Sequence, residues 1–140
     1  MSQDLIDTRT ISRKVYNSLS EARKPHEGKT THLKEQYNQA VELYTYIATW
    51  GLLRLKAEEK ALSQEGKREV VVGYFEVLQN ISNVKNLKGN DGLNTLLGLE
   101  TEDYLGLTGL GLQIAREYGF WAESIYADVK EDAKKKPANS

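Results

Sequence analysis

The chain contains no cysteine, and its only two prolines are Pro25 and Pro137. Without cysteine it can form neither a disulfide bond nor a thiolate site, which suits a reducing compartment, so we expect a cytoplasmic protein. No uncharged apolar run approaches the roughly 20 residues that cross a bilayer, and the opening "MSQDLIDTRT" does not resemble a signal peptide. We therefore expect a soluble chain whose 140 residues can bury a core in one domain.

The scarcity of proline leaves the interior of the chain without a residue that breaks helices. Apolar residues recur there at helical spacing, even in "EVVVGYF", whose valines would also suit a strand. The pattern predicts an all-α, single-domain helical bundle of about five helices in residues 1–130 and a disordered polar tail in residues 131–140. The predicted helices are one that ends before Pro25, one that begins at Thr30 or Thr31 and continues almost unbroken across Gly51, one at about 67–84, a short one at 92–99, and one that begins at Thr101.

The spacing also predicts which side chains these helices bury. In the first helix they are Ile11, Val15, Leu19 and Ala22. In the last helix the predicted buried line is Leu107, Leu110, Ile114, Tyr118, Trp121 and Ile125. The glycines of the last helix weaken it intrinsically but would let neighbouring backbones approach closely.

The stretch "KPHEGKTTH", residues 24–32, contains the Gly-Lys-Thr sequence that ends a phosphate-binding P-loop. The full motif needs a glycine five positions before its last glycine, where this chain has Arg23. It also needs a buried strand before the loop, where this chain has a helical pattern. The stretch therefore does not indicate a nucleotide-hydrolysing enzyme.

Other catalytic or metal-binding arrangements have little support. His26 and His32 are six residues apart, whereas helical metal pairs are three or four apart, and Glu27 would have to be the third ligand. We expect exposed loop histidines and no metal site. The adjacent carboxylates Glu58–Glu59 and Glu102–Asp103 point about 100° apart on a helix, so neither pair shares a site. We expect no enzyme and no cofactor.

Charge is distributed unevenly along the chain. Residues 1–88 carry 14 Lys and Arg against 11 Asp and Glu, or +3, whereas residues 89–140 carry 5 against 9, or −4. An ordinary solvated surface would explain this, but basic residues near "KPHEGKTTH" and the later loops could also hold a phosphate backbone. The candidate RNA-binding residues are Arg13, Arg23, Lys24, Lys29, Arg54, Lys60 and Arg68.

Two stretches resemble a known family. Residues 43–62, "LYTYIATWGLLRLKAEEKAL", contain a Gly-Leu break between helices, and residues 99–128, "LETEDYLGLTGLGLQIAREYGFWAESIYAD", contain a Tyr-x-x-Leu opening and an aromatic-Ala-Glu ending. Together they resemble the small helical subunit of type III CRISPR effector complexes. The matching residues are Gly51, Leu52, Tyr104, Trp121, Ala122 and Glu123.

The resemblance implies a non-catalytic subunit that stacks head to tail in copies along an RNA-guided complex of antiviral defence. Its partners would be guide RNA, target RNA, the other subunits of the complex and further copies of itself. An A-form duplex presents its backbone and shape, so scattered Lys and Arg would suffice to contact it.

Two other functions stay open. One is a helical protein–protein interaction module without nucleic acid, which would use an apolar patch around Tyr46, Trp50 and Tyr126. The other is an enzyme. Nucleotide-dependent phosphate release that is lost when Lys29 is replaced would indicate it.

Overall fold

The structure, a computed structural model, describes the backbone of residues 7–134 and the side chains of residues 7–130. This part of the chain contains seven α-helices, one 3₁₀ turn and no strand, which confirms the predicted all-α class. No helix within residues 7–134 combines the length and low polarity needed to cross a bilayer. The helices are α1 (Thr8–Arg23), α2 (Thr30–Trp50), α3 (Leu52–Ala61), α4 (Glu65–Ser82), α5 (Gly92–Leu97), α6 (Thr101–Ile125) and α7 (Ala127–Lys134), and the 3₁₀ turn Lys24–His26 follows α1.

Local sequence accounts for both ends of α1. The Asp7 carboxylate accepts a hydrogen bond from the backbone N–H of Arg9 at 2.9 Å and so caps the first turn. The helix ends before Pro25, as predicted, and Pro25 lies in the first turn of the 3₁₀ turn, where its missing N–H costs little. The connection then reverses direction through Gly28, whose φ of 83° favours glycine.

The single long helix predicted across Gly51 is two helices. Gly51 has φ 91° and ψ 166°, a backbone conformation that residues with a Cβ atom rarely adopt, so α2 ends and α3 begins there. The backbone N–H of Leu53 donates to Oη of Tyr104 on α6 at 3.1 Å, which holds the first turn of α3 against α6. The separation of α3 from α2, together with α7 after α6, raises the number of helices above the five predicted.

The predicted disordered tail overlaps α7. The backbone of α7 is helical to Lys134, so residues 131–134 belong to a helix, and residues 135–140 lie outside the described part of the chain. This helix packs against α2 and buries Val129, which is 5% exposed. The sequence did not predict α7 because a single buried apolar residue, Val129, does not produce the repeated apolar spacing that indicates a helix.

The four long helices form the body of the bundle, because α1 and α2 each pack against both α4 and α6. The predicted face of α1 is confirmed for Ile11, Val15 and Leu19, which are buried. In α6 the predicted line is confirmed in part: Leu107, Ile114 and Tyr118 are buried, whereas Leu110, Trp121 and Ile125 are partly buried.

Four fully buried tyrosines connect the elements of the core. A buried phenol needs an acceptor for its hydroxyl, and each of the four has one. Burial also raises the pKa of Tyr74 and Tyr118, so both stay neutral donors. The bonds run from Tyr37 to Oε2 of Glu123 at 2.9 Å, from Tyr74 to O of Gly111 at 2.8 Å, from Tyr118 to Oγ of Ser18 at 2.8 Å, and from Tyr126 to Oε1 of Gln36 at 2.6 Å.

Only one glycine in the interior of α6 lies at a close approach between helices. A Cβ atom on Gly111 would lie 2.6 Å from Oη of Tyr74 and 3.1 Å from Cδ2 of Leu52. At Gly106, Gly109 and Gly119 no neighbouring atom lies within 4 Å of that position. Gly111 therefore makes room for the side chains of Tyr74 and Leu52, and the expectation that this run of glycines brings backbones together is wrong for all four.

Gly111→Ala is expected to lower the free energy of unfolding by about 1–3 kcal/mol, because a methyl group must fit where Tyr74 and Leu52 already pack. Gly109→Ala in the same helix is the matched control and is expected to raise it by up to about 1 kcal/mol through helix propensity. Urea unfolding followed by circular dichroism measures both changes. Equal effects from the two substitutions would contradict the packing of Tyr74 against Gly111.

Candidate functional site

Several helix ends meet at one end of the bundle. The N–H of Gly66, in the first turn of α4, donates to Oε1 of Glu35 on α2 at 2.9 Å. A Cβ atom on Gly66 would lie only 2.7 Å from the backbone oxygen of His32, so the first turns of α2 and α4 approach closely. We call this region the turn end; it comprises residues 23–36, the end of α3, the start of α4, and the junction of α6 with α7.

A histidine cluster lies at the turn end and consists of His26, His32 and Glu69. Nε2 of His32 lies 2.7 Å from Oε1 of Glu69, and Nε2 of His26 lies 3.3 Å from Oε2 of the same carboxylate. The two imidazole rings stack with centroids 3.6 Å apart and planes 22° apart. Each of the two rings, which belong to different elements, therefore directs its Nε2 atom toward the carboxylate of Glu69.

A second layer of hydrogen bonds fixes Glu69. The fully buried Gln36 donates from Nε2 to Oε1 of Glu69 at 2.8 Å and to the backbone oxygen of Ala22 at 2.9 Å. Its Oε1 accepts from Tyr126 at 2.6 Å. Burial raises the pKa of Glu69, but the hydrogen bonds from His32 and Gln36 outweigh burial, so the pKa lies below its usual value. Glu69 is therefore a carboxylate held in one orientation.

The histidine cluster borders a groove between α1 and α4 with a volume of about 640 Å³. His26 and Glu69 line one part of this groove. Its other charged residues are two cations and three acids, namely Lys14, Arg68, Glu21, Glu65 and Glu76. Because carboxylates predominate, the groove does not suit a phosphate backbone.

Arg23, a predicted RNA-binding residue, is engaged within the protein. Its guanidinium donates to both carboxylate oxygens of Asp128 at 2.8 and 2.6 Å and to the backbone oxygen of Ile125 at 2.6 Å. It also pairs with Glu27 at 3.1 Å, and its side chain is only 13% exposed. The hydrogen bonds to Asp128 raise the pKa of Arg23 and lower that of Asp128. Arg23 therefore joins α1 to the α6–α7 junction.

Arg68, a second predicted RNA-binding residue, caps the end of α3. Its guanidinium donates to the backbone oxygens of Glu59, at 3.4 Å, and of Leu62. Helix C-termini present unpaired carbonyl groups and a partial negative charge, so a cation there is favourable. Arg68 therefore holds the C-terminus of α3 at the start of α4.

The other predicted RNA-binding residues have exposed side chains. Lys24 pairs with Glu21 at 3.6 Å, and the guanidinium of Arg54 lies 4.5 Å from the ring centroid of Trp50. Arg13, Lys29 and Lys60 have no carboxylate partner among residues 7–130. Their positions divide the set: Arg23, Lys24, Lys29, Lys60 and Arg68 lie at the turn end, Arg13 is on α1, and Arg54 is near the opposite end.

Two expectations about the surface are wrong. The histidines are not exposed, because their side chains are 19% and 17% exposed and stack on each other. Tyr126 is fully buried and cannot belong to the apolar patch proposed for it with Tyr46 and Trp50, of which only Trp50, at 52%, is exposed. The strongly exposed apolar side chains include Phe120, Leu105 and Leu97.

Sequence reasoning missed Glu69 and Gln36 and considered Glu27 instead. Glu69 is 37 residues from His32, so no local spacing relates them, and only the packing of α4 on α2 brings them together. Glu27, although adjacent to His26, turns to Arg23. No family model, curated protein or solved structure matches this chain, so its function has to be inferred from its own residues.

Arg23→Gln is expected to lower the free energy of unfolding by about 1–2 kcal/mol, since bonds to a charged group disappear but Glu27 and Asp128 are more than half exposed. The pKa of Asp128 is lowered in the folded state, so its contribution is present above the unfolded value of 3.8 and is lost as the pH falls through the folded value. The difference between wild type and variant should therefore be smaller at about pH 3 than at about pH 6, and the decrease should occur only as the pH falls below 3.8.

The matched control is Arg13→Gln, which removes the same charge from α1, where Arg13 forms no salt bridge within residues 7–130 and only a minor Coulombic interaction with the exposed Asp7. Its effect on urea unfolding should stay within about 0.5 kcal/mol at either pH. Equal destabilisation by the two substitutions, or a difference independent of pH, would contradict the role given to Arg23.

Proposed function

We propose that this chain is the non-catalytic small subunit of a type III CRISPR RNA-guided effector complex. In this function it stacks in copies along the duplex of guide RNA and target RNA and contacts the phosphate backbone, while other subunits cut RNA. The observation that carries the proposal is a pair of exposed lysines at the turn end, Lys29 and Lys60, that pair with no carboxylate in the described part of the chain.

Two unpaired lysines lie at the turn end. Lys29 and Lys60 are exposed there and pair with no carboxylate in the described part of the chain. Several nearby acids are already engaged, because Arg23 binds Glu27 and Asp128, and Lys24 pairs with Glu21. Glu58 and Glu65 are exposed at the same end and form no salt bridge within residues 7–130. The two lysines thus remain available to phosphate, which such point charges bind without reading base sequence.

Three unpaired acids lie at the far end of α6. Glu100, Glu102 and Asp103 are exposed there and have no cationic partner within residues 7–130. Arg23 contacts the last turn of α6, and a helix of 25 residues is about 37 Å long. Copies that follow one RNA in one direction would bring the acidic end of each beside the turn end of the next. Head-to-tail stacking would thus place these three acids, together with Arg54 and Lys85 of the same end, which are unpaired among the described residues, beside the lysines of the next copy.

The residues that carry the family resemblance lend a second line of support. Gly51 lies beside Tyr104, whose Oη is 3.4 Å from the position of a Cβ atom on Gly51, and Leu52 is fully buried. Ala122 is also fully buried, and Glu123 accepts a hydrogen bond from Tyr37. The two resembling stretches thus pack against each other, as parts of one structural pattern would.

Exposed apolar side chains suit contacts with neighbouring subunits. Phe120 is 65% exposed and packs edge-on against Trp121, which in turn contacts Tyr16. Leu105 is 63% exposed on the same helix. The alternative function, a protein–protein interaction module without nucleic acid, would use these side chains alone.

Combined Lys29→Gln and Lys60→Gln substitution is expected to weaken binding of an RNA duplex at least about tenfold at low salt. The plot of log affinity against log salt concentration should become shallower by about one unit of slope for each lysine that binds a phosphate. Fluorescence anisotropy over a series of salt concentrations measures both quantities. The matched control, Lys85→Gln with Lys88→Gln, removes two charges from the connection after α4 and should change binding less.

Purification of the chain from its native host is expected to recover short RNAs of uniform length together with other subunits. Sequencing the extracted RNA and identifying the proteins by mass spectrometry makes the test. Partner proteins without RNA would favour the interaction module. RNA binding that ignores salt, or its absence both in the isolated chain and in an assembled complex, would contradict the proposed function.

A further inference from the structure

We propose that His26, His32 and Glu69 form a binding site for one divalent transition-metal ion, with Zn²⁺ the best match. Three elements supply these ligands: the 3₁₀ turn, the first turn of α2, and α4. The site is separate from the lysines assigned to RNA, so neither proposal depends on the other.

The positions of the donor atoms support this site. One ligand atom from each of the three residues lies within 4.8 Å of the other two. Zn²⁺ binds imidazole nitrogen and carboxylate oxygen at about 2.0–2.2 Å, so tetrahedral ligands lie about 3.4 Å from one another. Nε2 of His26 is already 3.3 Å from the Glu69 carboxylate, and Nε2 of His32 needs to retreat by less than an ångström from 2.7 Å.

The nature of the donors selects the kind of metal. Two imidazole nitrogens and one carboxylate form a common set for Zn²⁺, whereas Mg²⁺ prefers oxygen ligands alone. The stacked rings are nearly parallel, so their Nε2 lone pairs lie side by side. For both Nε2 atoms to coordinate one ion, the planes of the two rings must tilt so that the lone pairs converge. The parallel stack is then lost, a change that spectroscopy can detect.

The surroundings of the cluster favour a metal site over a simple hydrogen-bonded group. Metal ligands are usually oriented by further hydrogen bonds, and Glu69 is held by Gln36, which Tyr126 and Ala22 fix in turn. Nδ1 of His26 is buried and has no hydrogen-bond partner. Nε2, which faces Glu69, is therefore the nitrogen of this ring that can reach an ion.

The groove gives the site an entrance and an open coordination position. His26 and Glu69 border the groove of about 640 Å³ between α1 and α4. Three protein ligands leave the fourth position of Zn²⁺ to water or to a small ligand that enters from the groove. The bound ion would also tie together the 3₁₀ turn, α2 and α4, so it should stabilise the fold by mass action.

The test uses the full chain without a polyhistidine tag, stripped with a chelator and titrated with Zn²⁺ by isothermal calorimetry. One Zn²⁺ per chain is expected to bind with a dissociation constant in the micromolar range or below, and Mg²⁺ should not bind. His32→Gln and Glu69→Gln are each expected to weaken Zn²⁺ binding at least about a hundredfold. The unfolding temperature of the wild type should rise with Zn²⁺ concentration.

Glu65→Gln is the matched control, because Glu65 lines the same groove on the same helix without belonging to the cluster. It should leave Zn²⁺ affinity within about twofold of the wild type. If a variant fails to fold, NMR of the imidazole nitrogens of the wild-type chain tests the site instead. The Nε2 resonances of His26 and His32 should both shift on addition of Zn²⁺. Absence of stoichiometric binding, unchanged imidazole resonances, or equal loss of affinity in Glu65→Gln would overturn the proposal.

Discussion

Every phenol buried in this bundle must find an acceptor for its hydroxyl, and that requirement decides which helix faces meet. A buried hydroxyl without a partner costs about 1–3 kcal/mol, a large share of the stability of a small domain. The four buried tyrosines avoid this cost through bonds that connect α1, α2, α4, α6 and the α6–α7 junction. A rotation of any of these helices about its axis would leave a hydroxyl buried and unpaired, so these bonds select one arrangement of the bundle.

One of these bonds extends from the core to the surface. Tyr126 donates to Gln36, Gln36 donates to Glu69, and Glu69 contacts His32 and His26. The orientation of the Glu69 carboxylate is thus set by a buried amide and not by solvent. Because side chains that are already held lose little freedom on binding a ligand, the histidine cluster is a preorganised feature. Its geometry follows from the packing of α2 against α4.

Basic residues in a sequence do not by themselves indicate a basic surface that is free to bind a ligand. Arg23 and Arg68 belong to the basic segments from which an RNA-binding face was predicted, yet both bind groups of the protein itself. The partners of Arg23 include Asp128, 105 residues away, and no local pattern could have indicated that contact. Lys29 and Lys60 remain free for a polyanion. Arg13 and Arg54, away from the turn end, also have no carboxylate partner among the described residues. The fold therefore removes Arg23 and Arg68 from the candidates and leaves the others exposed.

Apolar spacing determined the all-α class and the buried face of α1, because a helix repeats its environment every three to four residues. Pro25 determined where α1 ends. The break at Gly51 was visible as a glycine, but its φ of 91° belongs to the folded chain, in which α3 packs against α2, α4 and α5 and Leu53 bonds to Tyr104. Tertiary structure also decided which cations are free and that His26, His32 and Glu69 meet. These outcomes depend on contacts between residues far apart in the chain, and such contacts exist only once the helices have packed.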